Sequence, residues 1–200
     1  MKTVLQINTS LFAEEGQSSR LASALIQAWR LRHPEDRIVV RDLARDPVPH
    51  LTAERFQAFT TPAGERTPAQ RSVLAFSDAL IAELRAADVI VLGLPMYNFG
   101  IPSTLKAYFD HVARAGVTFR YTADGPQGLL GDKKVYILAA RGGEYQGTPL
   151  DTQSTYVRDF LNFLGLRDIE FIYAEGLARG AEHKARSLVD AGQSIEKLAA

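Results

Sequence analysis

Short β-prone runs alternate along this chain with stretches of helical period, and that alternation limits its fold more than any other feature. The strand candidates are Val4 to Ile7, Arg37 to Asp42, Asp88 to Leu94, Lys134 to Ala140 and Ile169 to Ala174. Between them Leu21, Leu25, Ala28 and Trp29 repeat at helical spacing, and so do Val73, Phe76, Leu80 and Leu84. Leu105, Tyr108, Phe109 and Val112 form a third such set, and Val157, Phe160, Leu161 and Leu164 a fourth, with Gly165 placed to stop it as a C′ residue. Ser18-Ser19 offers N-cap chemistry to the first helix, and Glu182 to Leu198 reads as a closing helix with a solvated charged face. Strands separated by helices imply right-handed crossovers and a parallel sheet covered on both faces. The continuous apolar run Val89-Ile90-Val91-Leu92 agrees, because a strand buried on both faces has no polar side to show.

Nothing divides the 200 residues, so one α/β domain over 1–200 is expected. The 23 basic and 23 acidic residues cancel, which argues against a nucleic-acid partner, since such binders displace counterions with a positive field. The absence of cysteine excludes disulfides, thiolate metal sites and a cysteine nucleophile, and suits a cytoplasmic protein. His33, His50, His111 and His183 lack ligand spacing, so no metal is expected, and the P-loop and Gly-x-Ser-x-Gly patterns are missing. No apolar stretch is long enough for a signal peptide or a membrane span.

In an open parallel sheet, ligands bind beyond the carboxyl ends of the strands, where the strand order reverses. Three loops there carry unusual chemistry. The first runs from Asn8-Thr9-Ser10 through Gly16-Gln17-Ser18-Ser19. It reads either as an ordinary capped helix or as an anion site made of hydroxyls and free amides without lysine, which suits a monophosphate. The second, Leu94 to Pro102, brings Met96, Tyr97 and Phe99 to a strand end, either to cover the core or to give a flat ring a surface. The third, Ala140-Arg141-Gly142-Gly143, is either a tight turn with Arg141 as a surface arginine beside it or a place where backbone approaches a ligand, with φ > 0 open to its glycines. Two segments, Asp46 to Ala69 and Val117 to Asp132, exceed ordinary loop length, and Val117 to Thr122 alternates like an exposed hairpin strand.

Taken together, the segment Ser10 to Ser18, the run Pro95-Met96-Tyr97-Asn98-Phe99 and the run Arg114-Ala115-Gly116-Val117-Thr118-Phe119-Arg120-Tyr121 resemble the FMN-dependent NADH-azoreductases and NAD(P)H:quinone oxidoreductases nearly end to end. Arg141-Gly142-Gly143, Phe163-Leu164-Gly165 and Ala174-Glu175-Gly176 complete the likeness. The resemblance implies a flavodoxin-like three-layer α/β/α sandwich with a five-stranded parallel sheet in the order 2-1-3-4-5. It implies one FMN per subunit, its phosphate on Ser10, Gly16, Gln17 and Ser18. The isoalloxazine and ribityl groups would meet Pro95, Met96, Tyr97, Asn98 and Phe99, with Ala140, Arg141, Gly142 and Gly143 at the pyrimidine end. Ala140 departs from relatives that carry serine there.

The implied reaction is a two-electron ping-pong transfer from NADH or NADPH to quinones and aromatic azo compounds, with the flavin carrying the chemistry. Phe99, Phe119, Tyr121 and Phe163 would form the substrate pocket in a homodimer with its active sites at the interface, Phe119 and Tyr121 coming from the partner. Amides of Arg141 to Gly143 would face the ring. The competing reading is a flavodoxin-type electron carrier without an acceptor of its own; such carriers are usually shorter and acidic, whereas this chain is neutral and has extra loops.

Overall fold

The computed structural model describes residues 1–131 and 133–198, so Asp132, at the end of the second long segment, lies outside it. The elements run β1 (Thr3–Asn8), α1 (Gln17–Arg32), β2 (Arg37–Asp42), α2 (Ala53–Thr60), α3 (Pro68–Ala86), β3 (Val89–Pro95), α4 (Ser103–Val112), β4 (Phe119–Thr122), β5 (Gly125–Gly128), β6 (Lys134–Ala140), α5 (Thr152–Phe163), β7 (Ile169–Ala174) and α6 (Ala181–Leu198). Five strands form one sheet in the order β2-β1-β3-β6-β7, every pairing parallel, with β4 and β5 as a separate antiparallel hairpin. In strand sequence this is the expected 2-1-3-4-5.

Alternation along β3 sorts the two faces. Val89 and Val91 pack with Leu21, Leu25 and Trp29 of α1 and with Ala191 and Ile195 of α6. Ile90 and Leu92 face the other way, toward Leu80 and Leu84 of α3, Leu105 and Phe109 of α4 and Val157 and Leu161 of α5. Every residue of β3 is buried, so the central strand is apolar on both sides as its sequence required. Each such side chain contributes roughly 1.5–3 kcal/mol by leaving water. Gly93 has a local reason: a Cβ there would stand 3.1 Å from the Ser18 carbonyl, so glycine lets the start of α1 lie close on the sheet.

Three local readings change. The segment Asp46 to Ala69 is not all loop: α2 sits inside it, capped by Thr52 Oγ1 accepting from the Arg55 amide, and Thr67 forms a capping box with Gln70 ahead of α3. On α3 the buried face is Leu74, Ser77, Leu80, Ile81 and Leu84, which leaves Phe76 at 38% exposure. The hairpin after Val117 forms as expected, but its base is fastened to the core. A Cβ on Gly128 would fall 2.1 Å from the Gly165 amide nitrogen, and Gly165, at φ 97, ends α5 in the left-handed region. Among the described residues no helix is long and apolar enough to cross a membrane.

Candidate active site

The carboxyl end of β1 leads into a cradle. Thr9 Oγ1 donates to the Gly93 carbonyl at 2.8 Å, which ties the end of β1 to β3. Ser10 Oγ accepts from the Phe12 amide at 3.2 Å and lies 3.3 Å from Tyr97 Oη, which itself accepts from the Leu11 amide. After a short 3₁₀ turn the N-cap of α1 is Gly16, with no side-chain cap. Ser18 and Ser19 are therefore not caps. Both are buried inside the first turn, and neither hydroxyl has a hydrogen-bond partner. Arg20 is the first residue of the helix whose amide closes a bond, to Gly16 O, so the amides of Gln17, Ser18 and Ser19 are open. Gly16 permits the geometry, because a Cβ there would overlap Ser10 Oγ at 2.0 Å. The result is a helix terminus with unpartnered amides, two orphaned hydroxyls and no lysine, chemistry that fits a monophosphate.

Beyond β3 and β6 two loops face each other across a cleft of about 270 Å³ lined by Met96, Asn98, Phe99, Gly142, Gly143 and Tyr145. The first loop is a two-residue turn. Tyr97 and Gly100 exchange amide–carbonyl bonds at 3.1 and 3.0 Å, and both central residues are left-handed, Asn98 at φ 50 and Phe99 at φ 63. Asparagine tolerates that region; phenylalanine there is strained by roughly 1–2 kcal/mol. Strain of this kind persists where surrounding structure holds it, and it clusters at functional sites. Phe99, 47% exposed, meets Tyr145 edge to face at 5.5 Å. Pro95 and Ala140 frame the cleft from below, their carbonyls accepting from Gln153 Nε2 and the Met96 amide.

In the second loop, Gly142 and Gly143 lend their carbonyls to Ala178 and Gly176, while their own amides have no partner among the described residues. Neither takes a positive φ, so the glycines serve close approach and not turn conformation. A Cβ on Gly143 would come within 2.6 Å of the Tyr145 ring.

Arg141 does not behave as expected. It is one of the most deeply buried side chains of the chain, not a surface arginine, and its amide is bound to Ala174 O at 2.9 Å and so is closed to any ring. Its guanidinium donates to Asp151 at 2.9 Å, Ser154 Oγ at 2.7 Å and Glu175 at 3.0 Å, and it lies over the Tyr173 ring. The physical reason is pairing: a charge so buried needs carboxylates, and Asp151 and Glu175 supply them. Burial pushes the Asp151 carboxyl up, but the bonds from Arg141 and from the Ser154 amide and hydroxyl outweigh it, leaving the group below its ordinary value. Sequence reading also missed Tyr145 and Gln153.

The expected substrate pocket divides. Phe99 lines the cleft. Phe119 is buried against Phe163 at 4.3 Å in this chain's own core, not presented to a partner, and Phe163 is partly buried with it. Tyr121, 76% exposed, stands on the hairpin 5.6 Å from Phe119. None of these three lines the cleft within the chain.

Comparison with known proteins follows the same outline. A family model described as flavodoxin-like fold matches residues 2–199. An FMN-dependent NADH:quinone oxidoreductase of Cellvibrio japonicus is 61% identical over 185 residues, 92% of this chain and 93% of that protein. A protein of the same description from Azotobacter vinelandii is 48% identical over the full length of both. Among solved structures, an azoreductase of Bacillus anthracis superposes with a TM-score of 0.91 at 30% identity, covering 100% of this chain and 99% of the other. An FMN-dependent NADH-azoreductase of Bacillus anthracis in complex with FMN gives a TM-score of 0.90 at 26% identity, covering 100% of this chain and 98% of the other.

Proposed function

This chain belongs to the flavodoxin-like fold family, among the FMN-dependent NADH:quinone oxidoreductases, and on that premise we propose that its cradle and cleft hold one FMN end to end, open to NADH and then to the acceptor. FMN-dependent transfer from NADH to quinones is the family's activity, and the chain shares it. One observation carries the placement. The open amides of Gln17, Ser18 and Ser19 and the unpartnered amides of Gly142 and Gly143 lie at the same end of the sheet, beyond β1 and β6, with the cleft beside them.

In this reading Ser10, Gly16, Gln17 and Ser18 receive the phosphate, the helix terminus supplying the field a lysine would otherwise supply. Tyr97, whose hydroxyl reaches Ser10 and Leu11, joins the cradle to the cleft. Met96, Asn98 and Phe99 give the ring one wall, and the Gly142 and Gly143 amides address its polar edge. Pro95, Ala140 and Arg141 set the frame and lend no free polar group of their backbone to the ring. When bound, FMN supplies the hydride acceptance and the two-electron delivery. The protein contributes orientation and a cleft open enough for flat donors and acceptors to take turns, which favours ping-pong exchange and extends the acceptors to aromatic azo compounds.

We infer a homodimer as well, a reading that the exposed apolar side chains support. Phe12 (68%), Tyr121 (76%) and Leu150 (53%) are large apolar side chains in water. A two-fold assembly covers them and carries the Tyr121 of one protomer toward the cleft of its partner. NADH as donor and a cysteine-free chain fit the cytoplasm.

The test is titration of flavin-free protein with FMN, then steady-state rates at several NADH and quinone concentrations. Binding at one FMN per chain with parallel double-reciprocal lines is expected. Absence of uptake overturns the reading. Light scattering at micromolar concentration should give twice the chain mass; a monomer alone would remove the dimer.

A further inference from the structure

The first turn of α5 touches neither the cradle nor the open face of the cleft, yet both cleft loops are fastened to it. Asp151 caps the helix by accepting from the Ser154 amide at 3.1 Å. Thr152 Oγ1 donates to the Phe99 carbonyl at 2.5 Å, at the strained turn itself. Gln153, 1% exposed, donates from Nε2 to the carbonyls of Pro95 at 2.8 Å and Gly100 at 3.1 Å, so it spans the base of that turn. Asp151 and Ser154 Oγ both receive the Arg141 guanidinium. Its other arm reaches Glu175, whose carboxylate also accepts from the amides of Tyr145 and Gln146 at 3.0 Å each. Four consecutive residues thus hold the loop after β3 directly and the loop after β6 through two charges.

The geometry points to Asp151–Ser154 as the positioning element that sets the distance between the two walls of the flavin cleft, with Gln153 as its main hold on the Asn98-Phe99 turn. This rests on the reading of the cleft as the FMN ring site. The physical argument is preorganisation. The turn is held in left-handed conformations that free backbone avoids, and Gln153 and Thr152 bond carbonyls on both sides of it. Without those donors the turn relaxes, and part of the binding energy of the ring goes into restoring it. Arg141 is buried because the second wall needs a rigid, two-armed link; a lysine carries one point charge and has no fork. These are positioning residues: they act through Phe99, Gly142 and Tyr145.

The experiment compares Gln153→Met and Thr152→Val with a control, Leu161→Ala, which removes a core side chain on the same helix about two turns away. Gln153→Met keeps the volume and deletes both donors. Thr152 is exposed, so Thr152→Val tests the clamp even if the buried change impairs folding. Three readouts are taken: FMN dissociation constant, visible circular dichroism and midpoint potential of bound FMN, and backbone amide exchange at 96–100 and 142–146 without flavin. For Gln153→Met, FMN binding about tenfold weaker is expected, the loss of a hydrogen bond to a buried acceptor, with altered dichroism and potential and faster exchange at 96–100. Thr152→Val should do the same to a smaller degree. Leu161→Ala should lower the melting temperature and leave dichroism, potential and loop exchange as they were.

Equal FMN affinity and unchanged loop exchange in both clamp variants would overturn the proposal while the FMN reading stands. So would a Leu161→Ala protein showing the same spectral change. Wild-type protein that takes up no FMN overturns the FMN reading and this inference with it.

Discussion

The cradle after β1 and the cleft after β3 and β6 lie at one end of the sheet and are built in opposite ways. The cradle is made by leaving groups unsatisfied: open amides at Gln17 to Ser19 and two buried hydroxyls without partners. The cleft is made by a bonded network behind it, in which the buried Arg141 Nε and Gln153 Oε1 stay unpartnered. Arg141, Asp151, Glu175, Gln153 and Thr152 bond the loops from below, so the exposed turn can hold a strained Phe99. An anion site profits from orphaned donors, because the ligand brings the missing acceptors. A flat ring carries its polar groups on one edge and offers only its faces elsewhere, so the walls that meet it must be fixed beforehand. The contrast predicts that changes in the cleft network lower stability, whereas changes in the cradle lower binding and can raise stability.

The largest expected effect is Arg141→Met. It strands Asp151 and Glu175 with no counter-charge, and urea unfolding should show a loss of roughly 3–5 kcal/mol. A loss under 1 kcal/mol would break the comparison from the cleft side. Ser18→Ala tests the cradle side. Deleting a buried hydroxyl without a partner should stabilise the flavin-free protein by about 1 kcal/mol while weakening FMN about tenfold. If stability and affinity fall together, Ser18 is structural and the contrast fails. Phe99→Gly sharpens the account of the turn. Glycine accepts φ 63 without strain, so the melting temperature should hold or rise by a few degrees while kcat/KM for a quinone drops.

The smallest effect lies away from both regions. His111 is buried between Phe59 and Phe76, Nδ1 on the Ala107 carbonyl and Nε2 without a partner. Burial pushes its pKa below the ordinary 6.5, the Ala107 bond opposing and Arg55 adding to the shift. The unfolded chain then binds the proton more readily than the folded one, so stability falls as pH drops through 6.5 toward the lowered value. His111→Gln should flatten that part of the stability–pH curve without changing FMN affinity. An unchanged slope would show that other groups carry it.

Much of the frame is legible in the sequence. Arg37–Asp42, Lys134–Ala140 and Ile169–Ala174 are strands at their expected bounds, because short apolar β-prone runs bounded by polar residues leave little choice. The cradle and cleft loops were likewise visible as strand-end segments. What stayed hidden was long-range. Gln153 reads as a polar residue on a helix, and the carbonyls it holds lie 58 and 53 residues away. Arg141 looks like an arginine beside a turn until β7 brings Glu175 to it across 34 residues. The Ser18-Ser19 pair looked like a cap because hydroxyls at a helix start usually cap, and only the path of Gly16 turns them inward. Helix α2 did carry a signal, Thr52 ahead of Phe56 and Phe59, but the surrounding prolines masked it. Phe119 alternated like an exposed strand residue, yet Phe163 and the Gly128–Gly165 contact draw it into the core.

The most direct test of the central claim is anaerobic. Protein loaded with FMN is mixed with NADH, the flavin absorbance is followed, and a quinone is then added. Complete bleaching by one NADH per chain, followed by full recovery of colour with one quinone, is the predicted result. A flavin that NADH leaves oxidised, or that recovers only by passing single electrons to a protein partner, would contradict it.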